Sequence, residues 1–193
     1  MTTATARQLR RFTVAEYHAM ISTGIVRGGE PVELLDGLLV NKMTRNPPHA
    51  TALGKMEDAL IARLPAGWIR RSQDAITLAD SEPEPDVVIV RGTRDDYAAR
   101  HPGPGDIALV VEVSDSSLDI DQGIKLRIYA AAGIPVYWIV NIPDDTVEVY
   151  TQPVGTGDQA TYARRQILRT GDNLDLTLDG FVLPPIPVAD VLP

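Results

Sequence analysis

The chain has 193 residues, of which 44% are hydrophobic and 23% charged, a balance that suits one domain able to bury a core of its own. With no cysteine it has no disulfide framework, thiol nucleophile or Cys-ligated zinc. The net charge of −8 opposes broad adhesion to nucleic acid, yet it leaves room for an enzyme whose acids hold Mg²⁺. No apolar run approaches a membrane span, and "MTTATARQLRRFTVAEY" lacks the apolar stretch of a secretory signal, so a cytoplasmic protein is the expectation.

Thr13 and Glu16 fit a capping box that opens a short helix ended by Gly24. "VELLDGLLV" places two apolar runs around Asp36–Gly37, which predicts a β-hairpin. Leu53, Met56, Leu60, Ile61 and Leu64 recur at helical spacing within residues 48–64, and Pro65 stops the pattern. Strand patterns follow in "WIRRS", "AITLA" and "DVVIV". The polar stretch 92–106 reads as a loop with a short helical turn near Tyr97. Its "HPGPGD" lacks the Lys-Ser/Thr ending of a phosphate loop.

Residues 107–141 form the clearest unit. "IALVVEV" reads as a buried strand, "DIDQGIKLRIYAAAG" as a helix closed by Gly133, and "PVYWIVNI" as a second buried strand. That order implies a right-handed crossover joining two parallel neighbours. "VEVYTQ" then adds an antiparallel strand, "TYARRQIL" extends the chain further, and the Pro-rich tail 183–193 is expected along the surface. Nothing in the pattern splits the chain, so a single domain over 1–193 is expected.

Two carboxylates stand against apolar, β-branched runs: Asp86 before Val87–Val90, and Glu112 within Val110–Val113. Strand alternation puts Glu112 on the face of Ala108 and Val110, and Asp86 on the face of Val88 and Val90. If the two strands are neighbours, about 5 Å apart, the acids meet at one end of the sheet. Two converging acids repel unless a cation joins them, and Mg²⁺ or Mn²⁺ is the natural oxygen-liganded completion. The bland alternative has equal standing: both acids at strand ends, in water or beside an arginine. Lys125, in the following helix, flanks a core stripe of Ile120, Ile124, Ile128 and Ala131. It has an ordinary helical partner in Asp121, one turn back. Glu33 in the hairpin and His49 at a helix start are weaker candidates, and solvated roles explain them as well. "DSSLDIDQG" is out of register for a calcium loop, no Gly-x-Ser-x-Gly elbow exists, and the locally basic "YARRQILR" has two readings, a phosphate contact and, more commonly for such a pattern, a solvated strand face.

The ordered set "VELLDG", His49, "EPDVVIV", "LVVEVSDSS", "GIKLRIYAAAGIPVYWIV" and "GDNLDL" resembles the Uma2 family of restriction-endonuclease-like proteins over nearly the whole chain. That family belongs to the PD-(D/E)xK nuclease-like superfamily. The resemblance implies an α+β or α/β restriction-endonuclease-like fold: a mixed β-sheet flanked by helices, with an N-terminal helix and β-hairpin. It also implies that Asp86, Glu112 and the Val113 carbonyl hold Mg²⁺ or Mn²⁺, with Lys125 acting on water and on developing charge. Glu33 and His49 match family positions as accessory contacts. Position 114 is Ser, where the superfamily pattern has its lysine, and Lys125 is the relocated candidate. The implied activity is phosphodiester hydrolysis on nucleic acid, foremost DNA, by a possible homodimer. The alternative is a catalytically weak nuclease-fold binding or assembly module.

Overall fold

The computed structural model describes residues 9–27, 29–42 and 46–193, so part of the N-terminal stretch read for a signal lies outside the described residues. Helix α1 (Val14–Ser22) opens on a reciprocal cap. Thr13 Oγ1 accepts the Glu16 N–H at 3.1 Å, and the Glu16 carboxylate accepts the Thr13 N–H at 2.9 Å. The hairpin β1 (Val32–Leu35) and β2 (Leu38–Asn41) turns at Asp36 and Gly37, with φ of 51° and 73°. Both are left-handed, as the tight hairpin turn requires. A Cβ on Gly37 would stand 2.6 Å from Arg11 Cβ, so glycine is required there for space as well as conformation.

Helix α2 (Pro47–Ile61) is capped by Asn46, and Ala52, Met56 and Leu60 form its buried stripe. Ile61 is exposed although its spacing placed it with the core, and the helix stops before Leu64. The contact stripe is narrower than the apolar pattern.

The main sheet has six strands in the order β3 (Trp68–Arg71), β4 (Val87–Arg91), β5 (Ile107–Ser114), β6 (Val136–Asn141), β7 (Thr146–Val154) and β8 (Thr161–Arg169). Neighbours are antiparallel except β5 and β6, which are parallel, as the crossover pattern predicts. It is a mixed α+β sheet with helices on its faces. The expected strand at 75–79 makes no ladder. Ile76 N–H bonds Pro83 O, Thr77 N–H bonds Pro102 O and Leu78 N–H bonds Ser81 O. The segment facing it contains Pro83 and Pro85, which lack the N–H groups a ladder needs.

The crossover helix is composite: α3 (Leu118–Ile120), a π-turn (Asp121–Lys125) and α4 (Leu126–Ala131). The Leu126 N–H reaches back five residues to the Asp121 carbonyl. The wider turn admits an extra residue and rotates the helix face. The uniform stripe expected from the sequence therefore fails at its end, because Ala131 is exposed, while Asp121 and Lys125 turn inward and are buried.

The two sheet faces carry separate cores. Val88, Val90, Val110, Tyr137 and Ile139 pack with Ile128 and Tyr129 of the crossover helix. Val87, Val111 and Trp138 pack with Met56 and Leu60 of α2. The second core also takes Leu183, Ile186, Val188, Val191 and Leu192, so the Pro-rich tail is core and not surface padding. The chain from 173 onward contains only short pairings, β9 (Asn173–Leu174), β10 (Thr177–Leu178), β11 (Phe181–Val182) and β12 (Ile186–Pro187), the last of them within the tail. No periodicity marks such a segment as buried. Among the described residues, no helix is long and apolar enough to cross a membrane.

Candidate active site

The β4–β5 ladder pairs Val88 with Val110 and Val87 with Val111. One step further along the same register, Asp86 falls opposite Glu112, on the face covered by the crossover helix. The side chains expected as site residues line one cleft: Glu33, His49, Asp86, Glu112 and Lys125, with Val113 and Asp121 beside them. Each reaches it from a different element, namely β1, α2, the approach to β4, β5 and the π-turn.

Asp86 is 8% exposed. Its Oδ2 accepts the Val113 N–H at 2.9 Å and lies 3.1 Å from His49 Nε2. Burial pushes the carboxyl upward, but the His49 hydrogen bond and charge, the Val113 N–H and the Lys125 charge outweigh it, leaving the pKa below its ordinary value. Asp86 is an anion held in place. His49 stands in the first turn of α2, its N–H accepted by the Asn46 cap at 3.1 Å. The helix start therefore aims the imidazole around the strand ends. Its Nδ1 is buried with no hydrogen-bond partner.

Glu112 is 3% exposed and accepts the Tyr129 O–H at 2.7 Å. Lys125 Nζ lies 3.0 Å from Glu112 Oε1, 3.6 Å from Glu33 Oε1 and 3.6 Å from Asp121 Oδ1. Burial pushes the Glu112 carboxyl well above its usual range; Lys125 opposes this, and Asp121, Asp86 and Glu33 reinforce it. Burial works against the Lys125 ammonium, yet the Glu112, Glu33 and Asp121 carboxylates together raise its pKa. Lys125 is thus a fixed cation and no general base. The helical pairing with Asp121 exists, but it is buried and is one of three.

Glu33 is no solvated edge acid. It is 4% exposed and its Oε2 accepts the Glu84 N–H at 3.0 Å. Four buried carboxylates, Glu33, Asp86, Glu112 and Asp121, therefore surround one buried ammonium. An added divalent cation would offset that excess. Among the described residues, no three His, Cys, Asp or Glu side chains converge as a metal cage. Mg²⁺ is commonly held by one or two carboxylates and completes its shell with water. A residue's N–H and C=O point to the same side of a strand, so the Val113 carbonyl faces β4 as its N–H does. Continued one pair beyond Asp86, the register sets Pro85 opposite Val113, and Pro85 has no N–H to donate. Asp86, Glu112 and this carbonyl are a hard-oxygen set that suits Mg²⁺ or Mn²⁺.

Reasoning from the sequence missed Tyr129 and Ser117 as site neighbours, and it read Ser114 only as the position left without the superfamily lysine. Asp121, Lys125 and Tyr129 recur every four residues, and that spacing was the available signal for Tyr129. Both serines bond Asp121 from close in sequence, Ser117 four residues and Ser114 seven residues before it.

The fold has a known counterpart. A crystal structure described as a "putative nuclease belonging to DUF820", from Anabaena variabilis ATCC 29413, superposes with a TM-score of 0.66 at 14% identity. The match covers 93% of this chain and 97% of that one, and shows a shared fold. No curated protein matches the chain. A family model described as "Uma2: Putative restriction endonuclease" matches residues 14–188. Nearly the whole chain lies within that match, and it belongs to the Uma2 family.

Proposed function

We propose that the chain is a divalent-metal-dependent nuclease that hydrolyses phosphodiester bonds, with DNA as its substrate and internal bonds as its target. The observation that carries this reading is the pairing of Asp86 opposite Glu112, with Lys125 Nζ 3.0 Å from Glu112, in one cleft. The family and the structural neighbour, each described as a nuclease, supply the reaction class.

In this reading Asp86, Glu112 and the Val113 carbonyl hold Mg²⁺ or Mn²⁺. The ion supplies Lewis acidity, which makes water nucleophilic near neutral pH and draws charge from the phosphate. The protein does the rest. His49 and the Val113 N–H keep Asp86 ionised and oriented. Lys125, cationic throughout, offers N–H donors to the attacking water and to the oxygens that gain charge as the P–O bond breaks. Tyr129 fixes the Glu112 carboxyl by donating to Oε1. Water adds to phosphorus, the ester oxygen leaves, and a proton ends on the leaving alcohol.

A second reading, a nuclease-fold binding module with little catalysis, is favoured by the engagement of Lys125 with three carboxylates. Nicking of supercoiled DNA, with RNA in parallel, separates the two. Wild type with Mg²⁺ or Mn²⁺ should cleave, whereas Glu112→Ala and chelated wild type should not. Equal traces of cleavage in wild type and Glu112→Ala, on both substrates, would reject the enzyme.

A further inference from the structure

Asp121 is 1% exposed, and its two carboxylate oxygens have unlike surroundings. Oδ2 accepts two hydroxyls, Ser114 Oγ and Ser117 Oγ, each at 2.6 Å. Oδ1 is buried without a hydrogen-bond partner and stands 3.6 Å from Lys125 Nζ. Its backbone is also fixed, because its carbonyl accepts both the Leu126 N–H and the Tyr137 O–H, the latter at 3.0 Å. Strands β5 and β6 thus clamp the aspartate while one oxygen stays open toward the lysine. A buried acceptor left unfilled is uncommon and calls for a reason.

The lysine supplies one. An ammonium has three donors, and here it sits closest to Glu112, the carboxylate needed as a metal ligand. Once Glu112 turns that oxygen to a cation, Lys125 loses its nearest partner and faces a like charge. Two acceptors then remain, each at 3.6 Å: Glu33 Oε1 from the hairpin and Asp121 Oδ1 from the lysine's own helix, and of the two carboxylates only Asp121 is fixed by two hydroxyls. An ordinary exposed i,i+4 pair would not hold the lysine, but this pair is buried and one partner is anchored from the sheet.

We propose that Asp121 is a positioning residue: its open Oδ1 takes the Lys125 ammonium when Glu112 engages the metal, and so keeps the lysine in the site. The inference rests on the nuclease reading above. It also gives Ser114 a role. Two residues after Glu112, where the superfamily pattern has its lysine, this strand carries a hydroxyl that anchors the acid holding the relocated lysine.

The direct test is a crystal structure of the full chain soaked with Mn²⁺. Lys125 Nζ should move to within about 3.2 Å of Asp121 Oδ1, hydrogen-bonding distance, and away from Glu112 Oε1. Mn²⁺ on Asp86 and Glu112 with the lysine still bonded to Glu112 would overturn the positioning role alone. Absence of Mn²⁺ from those carboxylates would overturn the nuclease reading and this inference together. Kinetics give a second arm through Asp121→Asn, Lys125→Met and the double variant. Asp121→Asn should lower kcat about 10- to 100-fold, the scale of lost supporting contacts, with KM within about twofold. It should cost nothing further in the Lys125→Met background. The same loss in both backgrounds, or wild-type kcat in Asp121→Asn, would overturn the proposal.

Discussion

Replacing Glu112 by glutamine should stabilise the protein while abolishing its chemistry. Glu112 lies 3.0 Å from Lys125, an attraction of roughly 5 kcal/mol at an effective dielectric near 20. Even so, its carboxyl sits well above the usual range, because burial and the Asp121, Asp86 and Glu33 charges outweigh that attraction. The folded state therefore favours the neutral form. Its contribution to stability is fully present below the ordinary value of 4.5 and is lost as pH rises through the raised folded value. Glutamine keeps an oxygen for the Tyr129 hydroxyl and the Lys125 ammonium but removes the charge. Near pH 8 the gain should be about 2 kcal/mol, because the substitution removes an acid whose ionisation is opposed by burial and by the Asp121, Asp86 and Glu33 charges, and each unit of raised pKa is worth about 1.4 kcal/mol. For a chain of this length that is about 4–8 °C in melting temperature. Thermal unfolding of wild type and Glu112→Gln at pH 8 and at pH 4 measures it, and the gain should shrink at the acid end. A variant that melts at or below wild type at pH 8, or whose gain is the same at both pH values, would refute the reasoning.

Removing the single cation should do the reverse. Lys125→Met leaves Glu33, Asp86, Glu112 and Asp121 buried without their ammonium, at a cost of about 3–5 kcal/mol in urea unfolding. A cost under about 1 kcal/mol would mean that the lysine is not the counter-charge described here. Asp86 has the opposite pH sign from Glu112. Its carboxyl is held below 3.8, so its contribution is present above that value and is lost as pH falls through the lowered folded value. Asp86→Asn should therefore flatten the acid limb of the stability profile between about pH 2 and 5, and an unchanged limb would contradict the assignment.

Much of this arrangement was legible in the strands. The alternation that puts Asp86 with Val88 and Glu112 with Val110 is realised in the ladder, where Val88 pairs with Val110. The parallel neighbours also follow from the strand–helix–strand spacing. The inward turn of Lys125 was not legible. A regular helix leaves it beside the core stripe, and only the π-turn rotates Asp121 and Lys125 toward the sheet. The contacts of His49 with Asp86 and of Glu33 with Lys125 join elements far apart in the chain, so no local pattern announces them. The tail was misjudged for a related reason. Its prolines erase periodicity, and Leu183, Ile186, Val188 and Val191 are buried one by one against α2 and the sheet.

The central claim is that Asp86 and Glu112, two acids buried at the ends of neighbouring strands, serve one divalent ion. Calorimetric titration with Mn²⁺ near pH 8 tests it most directly. Wild type should bind one ion, because Asp86 and Glu112 present their oxygens to the same cleft. Binding should be lost in Asp86→Asn and in Glu112→Gln. A wild type that takes up no Mn²⁺, or variants that bind it as tightly as wild type, would contradict the account.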